Sequence, residues 1–166
     1  MISIGIDVGK KGGIAILNKG KIHSLSTMPP TLVELRATLY TASIMPNTHC
    51  FIEKVHAMPG QGTVSMFNFG KGYGEIIATV EAMNIEYTLV PPRRWQKPIY
   101  KCMAEGHGFG PEFPSLKPKK RALFAAQKLY PKETFLATKR SKKAHDGLVD
   151  SLLIAHYGEH YSRDIP

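Results

Sequence analysis

Cysteine is scarce in this chain, and so are acids. Only Cys50 and Cys102 occur in 166 residues. Their spacing matches no zinc site, and two thiols do not make a disulfide framework. A reducing, intracellular compartment is therefore expected. Long apolar runs are missing too: none approaches the ~20 residues of a membrane-spanning helix. The N-terminus enters strand-like sequence directly, without a signal-peptide pattern. Neither an internal repeat nor a low-complexity tract interrupts the chain, so one domain over residues 1–166 is expected, with enough length for a proper core. Asp and Glu total 13 against 22 Lys and Arg, which gives a formal charge of +9 and a pI near 9.6. That imbalance predicts a polyanionic partner, nucleic acid before membrane.

Against this scarcity of acid, four carboxylates stand in apolar surroundings. Asp7 ends the run Ile4-Gly5-Ile6, and Glu53 ends Cys50-Phe51-Ile52. Asp146 and Asp150 precede Leu152-Leu153-Ile154-Ala155. Carboxylates are rarely buried unless they are paired or hold a metal. Asp146 and Asp150, at i and i+4, share one face of a helix and repel unless a cation lies nearby. Several carboxylates converging on one point are what two-metal hydrolysis of a phosphodiester requires, with hard oxygen donors suited to Mg2+. For any one of these acids the plain alternative is a helix-start charge or a solvated strand end. His145, beside Asp146, could move a proton or position water, or be a surface histidine at a helix start. His56 is close enough to Glu53 to line the same cleft.

Hydrophobic periodicity places these residues on elements. Ile2 to Asp7 alternates as a strand, Gly13 to Leu17 is strand-like, Asn18-Lys19-Gly20 signals a hairpin, and Lys21 to Thr27 alternates again. After Pro29-Pro30, Thr31 caps a helix carrying Leu32, Leu35 and Leu39. His49 to Val55 reads as a central strand, Thr63 to Met83 as a helix, and Glu86 to Val90 as a fifth strand. Gly70, Gly72 and Gly74 are unfavourable inside that helix and call for a compensating close approach to another backbone. Arg93 to Ala104 reads as a helix interrupted at Pro98, Glu105 to Pro118 as a loop, and Lys119 to Tyr130 as a helix. A basic connector, Lys132 to Lys143, then leads to the last helix, Ala144 to Tyr161. This order is that of the α/β ribonuclease H-like fold: a mixed five-stranded sheet flanked by helices, with a meander first and parallel crossovers after.

The motifs themselves resemble a known family. Ile4-Gly5-Ile6-Asp7-Val8-Gly9 with Gly12-Gly13 resembles the opening signature of RuvC-type Holliday junction resolvases, and Ile52-Glu53-Lys54-Val55 resembles their second acidic motif. Gly70 and Gly74 match small residues of the helix that follows, and His145 to Ala155 resembles the last motif, in a form most similar to the phage-encoded branch. The resemblance implies a homodimeric, Mg2+-dependent endonuclease, with Mn2+ able to substitute. It would nick two strands of a four-way DNA junction symmetrically, leaving 5′-phosphate and 3′-hydroxyl ends. It carries over Asp7, Glu53 and Asp150 as ligands of two ions. Bacterial relatives commonly space the last two acids three apart, which falls on Gly147 here; Asp146 substitutes, one turn before Asp150, and His145 competes for the role. Where those relatives place an aromatic for stacking, three residues after the second acid, this chain has His56.

The basic residues expected to contact DNA are Lys10, Lys11, Lys54, Arg93, Arg94, Lys97, Lys119, Lys120, Lys139, Arg140, Lys142 and Lys143, together with His56. Phosphate contacts of this kind give salt-sensitive affinity without reading bases. Trp95 and Tyr73 could stack on bases, or be packed inside. Met58 to Gly62 is expected at the cleft rim, and the helix from Val64 to Met83 as a dimer face. Two other readings remain open: a general branched-DNA or RNA–DNA hybrid nuclease of the same fold, and a non-catalytic junction-binding protein. For a phage-encoded enzyme the host cytoplasm is the expected compartment.

Overall fold

A computed structural model describes residues 1–56, 60, 62–105 and 116–162. Strands β1 (Ile2–Asp7), β2 (Gly13–Asn18) and β3 (Lys21–Thr27) form the antiparallel meander. Lys19 and Gly20 both take positive φ, 51° and 73°, as a tight hairpin turn between twisted strands requires. Helix α1 (Leu32–Ser43) starts where the Thr31 hydroxyl oxygen accepts from the Glu34 backbone N–H at 3.2 Å. It leads to β4 (Thr48–Glu53), which pairs parallel with β1. Helix α2 (Thr63–Ala82) crosses to β5 (Glu86–Val90), parallel to β4. The sheet order is β3-β2-β1-β4-β5, a mixed five-stranded sheet with helices on both faces. Helices α3 (Pro92–Glu105), α4 (Pro118–Leu129) and α5 (Asp146–Tyr161) follow.

The period-two pattern sorts side chains between two layers. Ile2, Ile4, Ile6, Ile14, Ile16, Cys50 and Ile52 point to α1 and α2, where Leu35, Leu39, Ile76 and Val80 meet them. Ala15, Leu17, Phe51 and Val90 point the other way, to Trp95 and Ile99 of α3, Ala125 of α4 and the long apolar face of α5. Helix α5 lies directly on β1 and β2. A Cβ at Gly5 would collide with the backbone of Ser151 and Ala155, and one at Gly147 with the backbone of Lys11 and Gly12. The Ser3 hydroxyl, on the same face as Gly5, donates to the Ala155 carbonyl at 2.7 Å. This seating brings the start of α5 to the end of β1.

Four expectations change. The fourth strand ends at Glu53 rather than Val55, although the Lys54 N–H still reaches the Val90 carbonyl at 2.8 Å. Helix α3 runs through Pro98 without a break, because Trp95, Ile99 and Met103, four apart, bury one continuous stripe. The last helix starts at Asp146, with His145 as its N-cap residue. Gly70, Gly72 and Gly74 face open space among the described residues: a Cβ on any of them would meet nothing there within 4 Å, so no close backbone approach from those residues compensates them. Residues 106–115 of the expected loop, and 58, 59 and 61 of the expected cleft rim, lie outside the described residues. Among the described residues no helix is long and apolar enough to cross a membrane.

Candidate active site

Because β1, β4 and β5 are mutually parallel, their C-terminal ends finish at one edge of the sheet, where open α/β sheets usually place ligands. Asp7 ends β1 and Glu53 ends β4, the adjoining strand, one residue past the pair Ile6–Ile52. Gly13, which begins antiparallel β2, pairs with Asp7 at the same edge. The contact of Gly147 with Lys11 and Gly12 anchors the first turn of α5 there. Asp146 and Asp150 consequently arrive beside Asp7 and Glu53.

The four charges act on one another. Burial, then the fields of Asp150, Glu53 and Asp146, push the Asp7 carboxyl up to about 8. Burial, then Glu53 and Asp146, push Asp150 up to about 7, with Lys119 opposing. Burial also raises Glu53, while a hydrogen bond from Trp95 lowers it. Burial is the first cause of each upward shift, and for Asp7 and Asp150 nearby like charges add to it, because both disfavour the ionised form. Asp146 is the more exposed member, and its Oδ2 accepts from Lys119 Nζ at 2.5 Å. That exposed contact joins the start of α4 to the start of α5.

Electrostatic convergence is not the same as a closed shell of ligands. Among the described residues, no group of three Asp, Glu, His or Cys side chains stands ready to hold one ion. The donor chemistry nevertheless fits a hard divalent cation. All four groups offer carboxylate oxygens, and added positive charge would favour the ionised forms of Asp7 and Asp150, which burial and like charge disfavour.

His145 is half-buried at the α5 N-cap. Its backbone N–H donates to the Phe135 carbonyl at 2.8 Å. Its Nδ1 is buried and has no hydrogen-bond partner among the described residues. The expected DNA contacts gather around the same edge in sequence and space. Lys10 and Lys11 follow β1, Lys54 and His56 follow β4, and Arg93, Arg94 and Lys97 occupy the start of α3. Lys119 and Lys120 start α4, and Lys139, Arg140, Lys142 and Lys143 lie on the connector that enters α5. All of these are exposed. Tyr73 is partly buried against the α1–α2 layer, so it is packed rather than offered to a base.

Two contacts were not anticipated from sequence. Trp95, fully buried, donates its indole Nε1–H to Glu53 Oε1 at 3.2 Å. Lys119, expected as a phosphate contact, also pairs with Asp146. For Trp95 the available signal was its position just after the Pro91-Pro92 stop of a strand parallel to the one bearing Glu53.

Two solved structures share this fold over nearly their whole length. Thermus thermophilus RuvC in complex with a Holliday junction substrate superposes with a TM-score of 0.62 at 13% identity, covering 98% of this chain and 96% of that one. The chain has the RuvC fold. A second Thermus thermophilus RuvC structure gives a TM-score of 0.53 at 15% identity, with 96% of each chain covered. The RuvC fold is shared while little of the sequence is, and no protein-family model and no curated protein matches this chain.

Proposed function

We propose that this protein is a Mg2+-dependent, structure-specific DNA endonuclease that resolves four-way and other branched junctions. The observation that supports it is the meeting of Asp7, Glu53, Asp146 and Asp150 at one sheet edge, where burial and the neighbouring acids raise Asp7 and Asp150, inside a rim of exposed cations. Asp7, Glu53 and Asp150 would hold paired Mg2+, or Mn2+ in its place, with Asp146 completing the set and His145 the competing fourth group. When bound, such ions activate water and stabilise the leaving oxygen in phosphodiester hydrolysis. The chain's own residues do the rest. Lys10, Lys11, Lys54 and the 139–143 connector draw the phosphate backbone over the acids. His145, its Nδ1 without a partner among the described residues, lies beside Asp146, where an imidazole can carry a proton.

Paired incision of a two-fold junction needs two facing sites, so the reading includes a homodimer. Val64 and Phe67 at the start of α2, 75% and 72% exposed, support α2 as the mating face. The His145-Asp146-Gly147 form of the last motif supports a phage-encoded enzyme acting on branched DNA in the host cytoplasm. His56, exposed where a junction-stacking aromatic is expected, favours a second reading: a nuclease that accepts branched DNA in general.

The test compares a four-way junction, a flap, linear duplex and an RNA–DNA hybrid in Mg2+, for wild type and Asp7→Asn. Paired symmetric nicks on the four-way junction, lost in the variant, are expected. Equal cutting of every branched form selects the broader nuclease. Binding with no cutting in either Mg2+ or Mn2+ leaves a junction-binding protein and defeats the catalytic reading.

A further inference from the structure

Trp95 is the chain's single tryptophan and has no solvent exposure. A buried indole brings a large apolar body and one N–H that needs an acceptor. Here the body packs with Ile99 and Met103 of α3 against the α5 side of the sheet. The N–H reaches past that core to Glu53 Oε1 at 3.2 Å. Glu53 is the last residue of β4, and its long side chain has several rotatable bonds to be fixed. The indole works against that freedom. Its direction is set by a packed helix, and it engages one carboxylate oxygen and leaves Oε2 outside the bond.

We propose that Trp95 is a positioning residue that fixes the carboxylate of Glu53 for divalent-cation binding, and that its indole N–H senses occupancy of the site. This inference rests on the role proposed above for Glu53. It gives the buried tryptophan a purpose beyond filling space, and the two roles are separable. Trp95→Phe keeps an aromatic ring in the core and deletes only the donor.

The first measurement needs no variant. A single tryptophan gives a single indole 1H–15N resonance, and titrating the DNA-free wild type with Mg2+ should shift it. The second is Mn2+ binding to Trp95→Phe, read by calorimetry or electron paramagnetic resonance. Loss of an outer hydrogen bond that orients a ligand weakens metal binding by roughly 10-fold or more. Metal-free binding of a four-way junction should be unchanged, and kcat should fall while KM for DNA stays level. A folded Trp95→Phe that binds Mn2+ within about two-fold of wild type overturns the proposal. So does an indole resonance that Mg2+ leaves in place, which decides the matter if the variant does not fold. Failure of the wild type to cut any substrate would sink the endonuclease reading alone, because cation binding and the indole resonance still report on Trp95.

Discussion

Replacing Asp7 by Asn should stabilise the metal-free protein strongly at pH 8 and much less at pH 5. Asn is close in shape to the protonated carboxyl, so the variant mimics the neutral form at every pH. In the folded protein the carboxyl is raised from its ordinary 3.8 to about 8. The folded state therefore binds more protons than the unfolded state between those values. Stability is fully present below about pH 4 and is lost as pH rises through about 8. The shift sets a ceiling of about 6 kcal/mol on that loss. Asp150, itself raised to about 7, shares the same field, so the pair titrates jointly and about 2–3 kcal/mol is the expected share of Asp7 alone. For a chain of this size that corresponds to roughly 5–10 °C in Tm. The assay is thermal unfolding in chelator at pH 5, 6.5 and 8, read as the difference between variant and wild type. Taking the difference cancels the other titrating groups. Excess Mg2+ at pH 8 should raise the Tm of wild type more than that of Asp7→Asn. A variant no more stable than wild type at pH 8 would refute the claim that Asp7 is buried among like charges.

Three further outcomes are expected. Burial, with the field of His160 added, lowers His156 to about 4. Wild type should therefore lose up to about 3 kcal/mol as pH falls from 6.5 to 4, and His156→Asn should lose less, measured by urea unfolding at pH 4.5 and 7. Gly147→Ala should cost roughly 3 kcal/mol, because the added methyl meets backbone rather than a side chain that can turn away. Gly70→Ala, in open space among the described residues, should instead raise stability by about 0.5–1 kcal/mol, provided the dimer face leaves the new methyl free, and paired melts of the two variants check this contrast. Changing Lys139, Arg140, Lys142 and Lys143 together to Ala should flatten the salt dependence of junction binding by up to about 4 in log–log slope, seen by fluorescence anisotropy across salt concentrations.

Much of the fold was legible because two periodicities write it into the chain. Ile2, Ile4 and Ile6 mark the buried face of β1, and Asn18-Lys19-Gly20 marks the turn between β2 and β3. The candidate acids were legible for a related reason: each is a charge set at the border of an apolar run, where chance seldom leaves one. What sequence hid depends on how elements cross. Pro98 looked like a break because local propensity disfavours it, yet the tertiary stripe of Trp95, Ile99 and Met103 carries the helix through. Lys119 and Asp146 stand on helices that meet only in the folded chain, 27 residues apart. The glycines were the harder lesson. Gly70, Gly72 and Gly74 are conspicuous inside a helix but are open among the described residues, whereas Gly5 and Gly147, easily read as motif letters, are where α5 touches the sheet.

That contact accounts for the one place where the acidic motif departs from the spacing expected of bacterial RuvC proteins. An acid three residues before Asp150 would fall on position 147. Here the backbone of residue 147 is pressed against Lys11 and Gly12, with no room for any Cβ. Opening that space would lift α5 off β1 and β2, and with it carry Asp150 away from Asp7. A fourth carboxylate can enter only at a neighbouring position whose side chain leaves the contact. Position 146, the first residue of the helix, does so, and its charge still raises both Asp7 and Asp150. On the proposed reading of the site, the close seating that brings Asp150 there thus excludes position 147 as its partner and leaves the adjacent position for Asp146. The cost is exposure. At 55% side-chain exposure Asp146 is reachable by Lys119, so in this chain the fourth acid is shared between the carboxylate cluster and the start of α4.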